Sequence, residues 1–547
     1  MSPPLNRRWD PEASLVLWFA ACVSIGSFLF YLRQGDVLLY GDAVAHINIA
    51  RRVFDSRTPG LLQLGTVWLP LPHLLMIPFL LSDWAWRTGV GGAIPSLAVY
   101  VFGALGIFRL VRSAVGFPSR PDTAVRIAAW IATLIYVANP NLIYMQTTAM
   151  TEPLYLALFI WMLVYFSEFV LESGLKDGDL EKSGLSSLVK CGLCLLGACL
   201  TRYDGWFLAA TMCVAVVVAA KATGRQDLGH GVRNFILLAA SAPAFWLAYN
   251  GIVYRNPLEF ANGPYSAKAI EHKSVSETSP HPGTRNLLVG ASYFLKSAEL
   301  HLAPGNWGRL WWLLALTGTV LALISDRRLW PLLLLWIPLI FYSLSIAYGS
   351  VPIYLPVWWP FSHYNVRYGL ELLPAFAVSV ALAVYFLTRF VRNTTARAGI
   401  VVVALISVSI GYASIWRDPI CFHEAWINSR TRTALEREVA AYLRGLPPDS
   451  TLLMFLGNHV GALQQAGIPL RRVINEGNHR TWVQPSDPEG LWERALANPQ
   501  QYTDFVIAFE GDPVYVATRT QGMFTLAVLH VSGQPVATIY QTHRAAR

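Results

Sequence analysis

Eleven apolar runs of about bilayer length recur along the chain, near 13–32, 93–114, 125–143, 153–171, 187–201, 205–221, 234–250, 308–325, 329–349, 368–390 and 398–416. A segment crossing lipid needs roughly 20 such residues, and it must be helical because lipid offers no partner to an open backbone N–H or C=O. The runs therefore predict a polytopic α-helical membrane protein of about eleven transmembrane helices. Composition agrees and excludes an ordinary soluble globule: 54% of the residues are hydrophobic and 14% charged, against about 25% charged in soluble domains. The piece Trp68–Leu81 is also apolar, but it carries Pro70, Pro72 and Pro78. That density breaks a straight span and predicts a re-entrant or interfacial segment.

Charge sets the orientation. The net charge of +9 lies in short basic clusters between apolar runs, a pattern for anionic membrane lipids rather than nucleic acid. With the N-terminus cytoplasmic, the inward loops hold Arg109, Arg112, Arg120 and Arg126, then Lys176, Lys182 and Lys190. Lys221, Arg225 and Arg233, then Arg327 and Arg328, then Arg389, Arg392 and Arg397 complete the set. The short outward loops 144–152 and 350–366 hold no Lys or Arg. Counting 68–81 as a span would invert every later loop. The pattern predicts a chain that crosses many times with the C-terminal end outside, and the compact loops predict the plasma membrane of a bacterium or archaeon. Cys191 and Cys194 form a CxxC within an apolar run, with no second pair at zinc spacing, and read as packing residues.

After Trp416 the composition becomes that of a soluble domain. Strand-like runs TLLMFLG, RRVIN, DFVIAFE and TLAVLHV alternate with helical stretches around 459–466 and 489–497, which predicts an extracytoplasmic α/β domain over 417–547. The membrane module then covers 1–416, with long outer loops 34–92 and 251–307. GNHV (457–460) and EGNH (476–479) follow two of the strands, where α/β sheets often bind ligands; without a GxGxxG they read as an acceptor-docking surface or as a plain structural cap on the outer loops.

The stretch YGDAVAHINIARR, residues 40–52, carries the chemistry. Val44, Ile47, Ala50 and Phe54 recur at helical spacing, which predicts an amphipathic helix over 43–55 lying along the membrane. Asp42 precedes it, either as an N-cap or as a reactive carboxylate. An acid opening an amphipathic helix soon after the first span resembles the GT-C glycosyltransferases, in particular the protein O-mannosyltransferases and the aminoarabinose transferases acting on lipid A. QTTAMTEPLYLALF (146–159), TRYDGWF (201–207) and HYNVRYGLELLP (363–374) are similar to that group as well. The resemblance runs along most of 13–416 and does not reach 417–547.

The resemblance implies a sugar moved from a polyprenyl-phosphate carrier to an acceptor hydroxyl, on protein, lipid or glycan, with inversion at the anomeric carbon. A hydroxyl is a weak nucleophile and needs a base, and Asp42 matches the family's acidic position. The departing lipid phosphate needs cations or donors. Arg367 with Tyr364 and Asn365, Arg202, and Lys268 in NPLEFANGPYSAKAI are the candidates. Each has a plain alternative: Arg367 snorkelling to the interface, Arg202 bridging Asp204 structurally, Lys268 solvated. Glu152, His46, His73, Asp204 and Glu259 are candidates for the sugar or acceptor; for Glu152 the alternative is capping, and for the histidines a structural role. The residues fix no cofactor, and a divalent metal stays open, although GDA stands where a paired-acid motif would read DxD. The rival function is a secondary transporter or lipid flippase, which would favour internal repeats and mid-span acids. No repeat is visible.

Overall fold

The computed structural model describes residues 10–116, 122–173, 178–222, 229–264, 266, 268–269, 280–349, 351–478, 489–519 and 521–542. Arg120, Lys176, Arg225 and His479 lie outside them. Among the described residues nine helices are long and apolar enough to cross a membrane. Seven stand close to the predicted runs: Pro11–Gln34, Val90–Gly116, Glu152–Glu172, Asp204–Ala222, Gly229–Val253, Gly305–Ser325 and Arg327–Tyr348. Val366–Phe390 and the helix from Thr394 complete the nine. The two remaining runs are shorter apolar helices, Thr123–Val137 and Gly184–Cys199. The eleven runs are thus all largely helical, nine in helices long enough to cross and two in shorter ones, and the chain is a polytopic membrane protein.

Prolines set the departures from simple spans. Leu71–Met76 is one short α-helix that tightens into a 3-10 turn over Ile77–Leu81, as the proline density predicts. The run 125–143 is not one span: its helix stops at Val137, and Asn139 caps a second helix, Pro140–Met145, by accepting the N–H groups of Asn141 and Leu142. An Asn-Pro pair both ends one helix and starts the next. Two spans open with 3-10 segments, Arg327–Trp336 and Val366–Leu372, before Pro338 and Pro374 sit in the first turns of the α-helices that follow.

The span Val366–Phe390 is the central post, with 94% of its apolar window buried. Helix Gly305–Ser325 lies against it so closely that a Cβ on Gly318 would collide with the Ser379 carbonyl oxygen, while Thr319 Oγ1 meets Ser379 Oγ at 3.0 Å. Small residues permit that approach, and a hydroxyl pair seals it.

Among the described residues five strands form one sheet at the C-terminal end: β1 Leu452–Met454, β2 Val473–Ile474, β3 Phe505–Phe509, β4 Phe524–Leu529 and β5 Ala537–Gln541, in the order β2-β1-β3-β5-β4. β1 runs parallel to β2 and β3, while β5 runs antiparallel to β3 and β4. The four strand-like runs land on β1 to β4. β5 was not foreseen, because its short run gains a place only by pairing along both edges.

The short helices between β1 and β2, and the turn after β2, grip the segment after the first span. Asn48 Nδ2 donates to Gln464 Oε1 at 2.8 Å, Gln63 Nε2 to the Gly477 carbonyl at 2.8 Å, and Asp55 accepts the Leu470 and Arg471 N–H groups at 3.3 Å. The helix Gly41–Arg52 is consequently buried on its polar side as well: His46, Asn48 and Arg51 are all buried. This corrects the expected surface helix. Its polar face is a protein interface, not a lipid-headgroup face.

Candidate functional site

The turn Gln146–Thr151 delivers Glu152 to the first position of its span. Thr147 Oγ1 and Thr148 Oγ1 donate to the carbonyls of Tyr144 and Met145 at 2.7 and 2.8 Å, so the two hydroxyls hold the chain where the backbone leaves the helix. Pro153 then fits the first turn, where a missing N–H costs nothing. Arg367 arrives from the opposite side. Asn365 takes a left-handed backbone, φ 57°, and its side chain holds the Pro352 carbonyl at 3.0 Å. Gly369 lets the turn close on Ser297, which a Cβ would meet at 2.5 Å.

Three carboxylates meet Arg367, one at each nitrogen. Nε donates to Glu152 Oε1 at 3.0 Å, Nη1 to Glu424 Oε1 at 3.0 Å, and Nη2 to Asp42 Oδ2 at 2.7 Å. Arg202 forms the second half: Nη1 reaches Glu152 Oε1 at 3.2 Å, Nε reaches Asp204 Oδ2 at 3.0 Å, and Nη2 reaches Glu371 Oε1 at 3.2 Å and the Tyr342 hydroxyl at 2.8 Å. The Tyr342 hydroxyl in turn donates to Glu371 Oε1 at 2.6 Å. Tyr368 lies between the two guanidiniums, which stand 4.9 and 5.0 Å from its ring centroid. Glu152 links the halves, so the cluster is one continuous network.

Exposure separates the members. The side chains of Glu152, Glu371 and Glu424 are 1%, 0% and 1% exposed, whereas Asp42 is 42% exposed. Asp42 is therefore the carboxylate of this network that an incoming molecule can touch. It is not the N-cap: it sits inside the first turn, the cap residue is Tyr40, and Tyr40 makes no side-chain cap bond. Arg367 is not a snorkelling residue either, since it is buried under three carboxylates and beside the rings of Tyr40 and Tyr368.

The other candidates divide. Asp204 and Arg202 join the network. His46 and His73 pair with each other, Nδ1 to Nε2 at 2.9 Å, and both are buried. Burial, then the charges of Arg367 and Arg202, push His46 down to about 3, so it stands neutral beside the cluster. Tyr364 is partly exposed near Asp42, its hydroxyl pushed up by burial first and by the Asp42 charge second. Asn365 holds its own loop. Lys268 is exposed and does not join the network. Glu259 is buried and accepts from Asn256 Nδ2 at 2.9 Å.

A divalent ion needs several oxygens converging on one point. Among the described residues no three acids, histidines or cysteines are grouped to hold one, and the network's carboxylates face arginines. Among the described residues the network's donor set, turned toward arginines, does not fit a metal ion.

Sequence reasoning missed Glu371, Tyr342 and Glu424. Glu371 was within sight: an ionisable residue inside a predicted span marks a functional site by default, and it lies in HYNVRYGLELLP. Glu424 carried no such signal, because it stands among ordinary charged residues beyond the last span.

No family model and no curated protein sequence matches the chain. Among solved structures, ArnT from Cupriavidus metallidurans bound to undecaprenyl phosphate matches at a TM-score of 0.56 and 14% identity, over 96% of this chain and 97% of that one. Its apo form matches at 0.55 and 15%, over 96% and 98%. The apo oligosaccharyltransferase of Archaeoglobus fulgidus matches at 0.47 and 14%, over 95% and 73%. The two ArnT comparisons establish a shared fold along nearly the whole chain.

Proposed function

We propose that this chain, which has the GT-C fold, is an inverting glycosyltransferase that moves a sugar from a polyprenyl-phosphate carrier to an acceptor hydroxyl at the outer face of a bacterial or archaeal plasma membrane. The observation that carries the reading is Asp42: one open carboxylate at the edge of a buried arginine–carboxylate network, at the ends of several spans. The undecaprenyl phosphate held by the ArnT structure of the same fold agrees with a lipid-linked donor whose tail stays in the bilayer. We divide the chain into a membrane module, 1–416, and an α/β part, 417–547.

In this reaction the acceptor oxygen attacks the anomeric carbon from the face opposite the phosphate. Asp42 takes the hydroxyl proton as the new C–O bond forms. The old bond to the phosphate oxygen breaks, its electron pair leaving with the polyprenyl phosphate. Arg367 holds Asp42 in place, and we assign its terminal N–H groups as donors to the leaving phosphate. We assign Tyr364, partly exposed beside Asp42, to the donor; Asp204 and Glu152 fix Arg202.

The test is transfer from a panel of radiolabelled polyprenyl-phosphate sugars by the purified protein in native lipid extract, with Asp42→Asn alongside. Wild type transfers, and Asp42→Asn loses at least about 100-fold in kcat with donor KM little changed, the scale of a lost general base. An Asn variant with near wild-type turnover would end the assignment of Asp42.

A further inference from the structure

The helix Ile420–Leu443 follows the last apolar span and leads into the sheet. It carries many charged side chains, yet Glu424 near its start is buried, and both its oxygens are engaged. Oε2 accepts the Val366 N–H at 2.7 Å, and Oε1 accepts Arg367 Nη1 at 3.0 Å. On the far side of the same guanidinium, Nη2 holds Asp42 at 2.7 Å. The helix reaches the approach to Asp42 twice more. The Tyr40 hydroxyl donates to the Cys421 carbonyl at 2.9 Å, and Arg432 Nη2 donates to the carbonyls of Leu39 at 2.9 Å and Leu38 at 3.3 Å. Residues 38–42 are thus tied to this helix through their backbone, through Tyr40, and through Arg367.

A buried ion pair is a poor source of stability, because desolvation offsets most of the attraction and an apolar pair serves as well. What it supplies is a single geometry for the guanidinium. Val366 is held just as firmly: its carbonyl accepts Ser297 Oγ at 2.7 Å and pairs with His301 Nε2 at 2.8 Å. Of Arg367's three carboxylates, the two buried ones act as fixed anchors, and the exposed one is the group being held.

We infer that Glu424 is a positioning residue for Asp42, acting through Arg367, so that the C-terminal part of the chain completes the site. The inference rests on the transferase reading. Glu424 meets no substrate; it fixes the direction in which Arg367 presents Nη2. Replacement by Gln turns one carboxylate oxygen into NH2, which then faces either the Val366 N–H or Arg367 Nη1, donor against donor. Tyr40→Phe removes one hydrogen bond at constant shape.

The experiment measures initial rates against donor concentration for the full-length wild type, Glu424→Gln and Tyr40→Phe, with folding checked by tryptophan fluorescence. Glu424→Gln loses at least about tenfold in kcat and Tyr40→Phe about fivefold, each with donor KM within about threefold of wild type, since misplacing a reacting group acts on turnover. A loss confined to KM or to thermal stability, with kcat within about twofold of wild type, overturns the inference while leaving the transferase reading intact. If Glu424→Gln does not fold, Tyr40→Phe decides alone. A wild type that transfers no sugar from any donor removes the reaction itself, and overturns both.

Discussion

Replacing Arg367 by Met would leave two buried carboxylates to find new partners. Glu152 keeps Arg202 at 3.2 Å. Glu424, 1% exposed, keeps only the Val366 N–H at 2.7 Å among its described bonds. One carboxylate therefore stays buried without a counter-charge, and removing one partner of a buried pair costs about 3–5 kcal/mol. At roughly 2 °C per kcal/mol for a large domain, the apparent Tm in detergent, followed by tryptophan fluorescence, falls by about 6–10 °C. The companion Arg367→Met/Glu424→Gln removes the stranded charge and recovers at least about half of that loss, because neighbours in one network are not additive. Arg328→Met is the control: its partner Asp326 is 35% exposed and Arg328 itself 56%, so its loss stays within about 1 kcal/mol. An Arg367→Met protein melting within about 1 °C of wild type, or a double variant losing the sum of both singles, would refute the argument.

Acid should weaken the protein through His46. It is held to about 3 when folded, against 6.5 as the ordinary value, so between those pH values the unfolded chain binds a proton that the folded one refuses. Stability is then lost as pH falls from about 6.5 toward 3. His46→Gln flattens the decline of apparent Tm measured between about pH 7 and 4.5, and a variant that declines as steeply as wild type counts against the burial argument. Gly318→Ala forces a methyl against the Ser379 carbonyl and costs about 3 kcal/mol or more. Gly399→Ala, on an open helix face, leaves Tm unchanged or slightly higher, and equal melting of the two variants would contradict the close helix contact.

Much of the architecture follows from local sequence. Apolar runs of bilayer length dictate helices because lipid leaves the backbone no alternative; prolines at 70, 72 and 78 dictate the broken segment, and alternation beyond Trp416 dictates four of the five strands. Asp42, Glu152, Arg202, Asp204 and Arg367 are also named in sequence as candidates, because each stands in a motif that carries the family resemblance. Their pairing is not. Asp42 reads equally as a cap until Arg367, 325 positions away, takes its carboxylate, and the Gly41–Arg52 helix reads as a surface helix until the short helices between β1 and β2 cover its polar face. Glu424 is silent in sequence because a glutamate on a polar helix is ordinary. Only the fold puts it against a buried guanidinium, where the same charge becomes expensive and directional. Periodicity and composition act over a few residues and determine elements; the electrostatics of the site depend on distances between elements, which only tertiary packing decides.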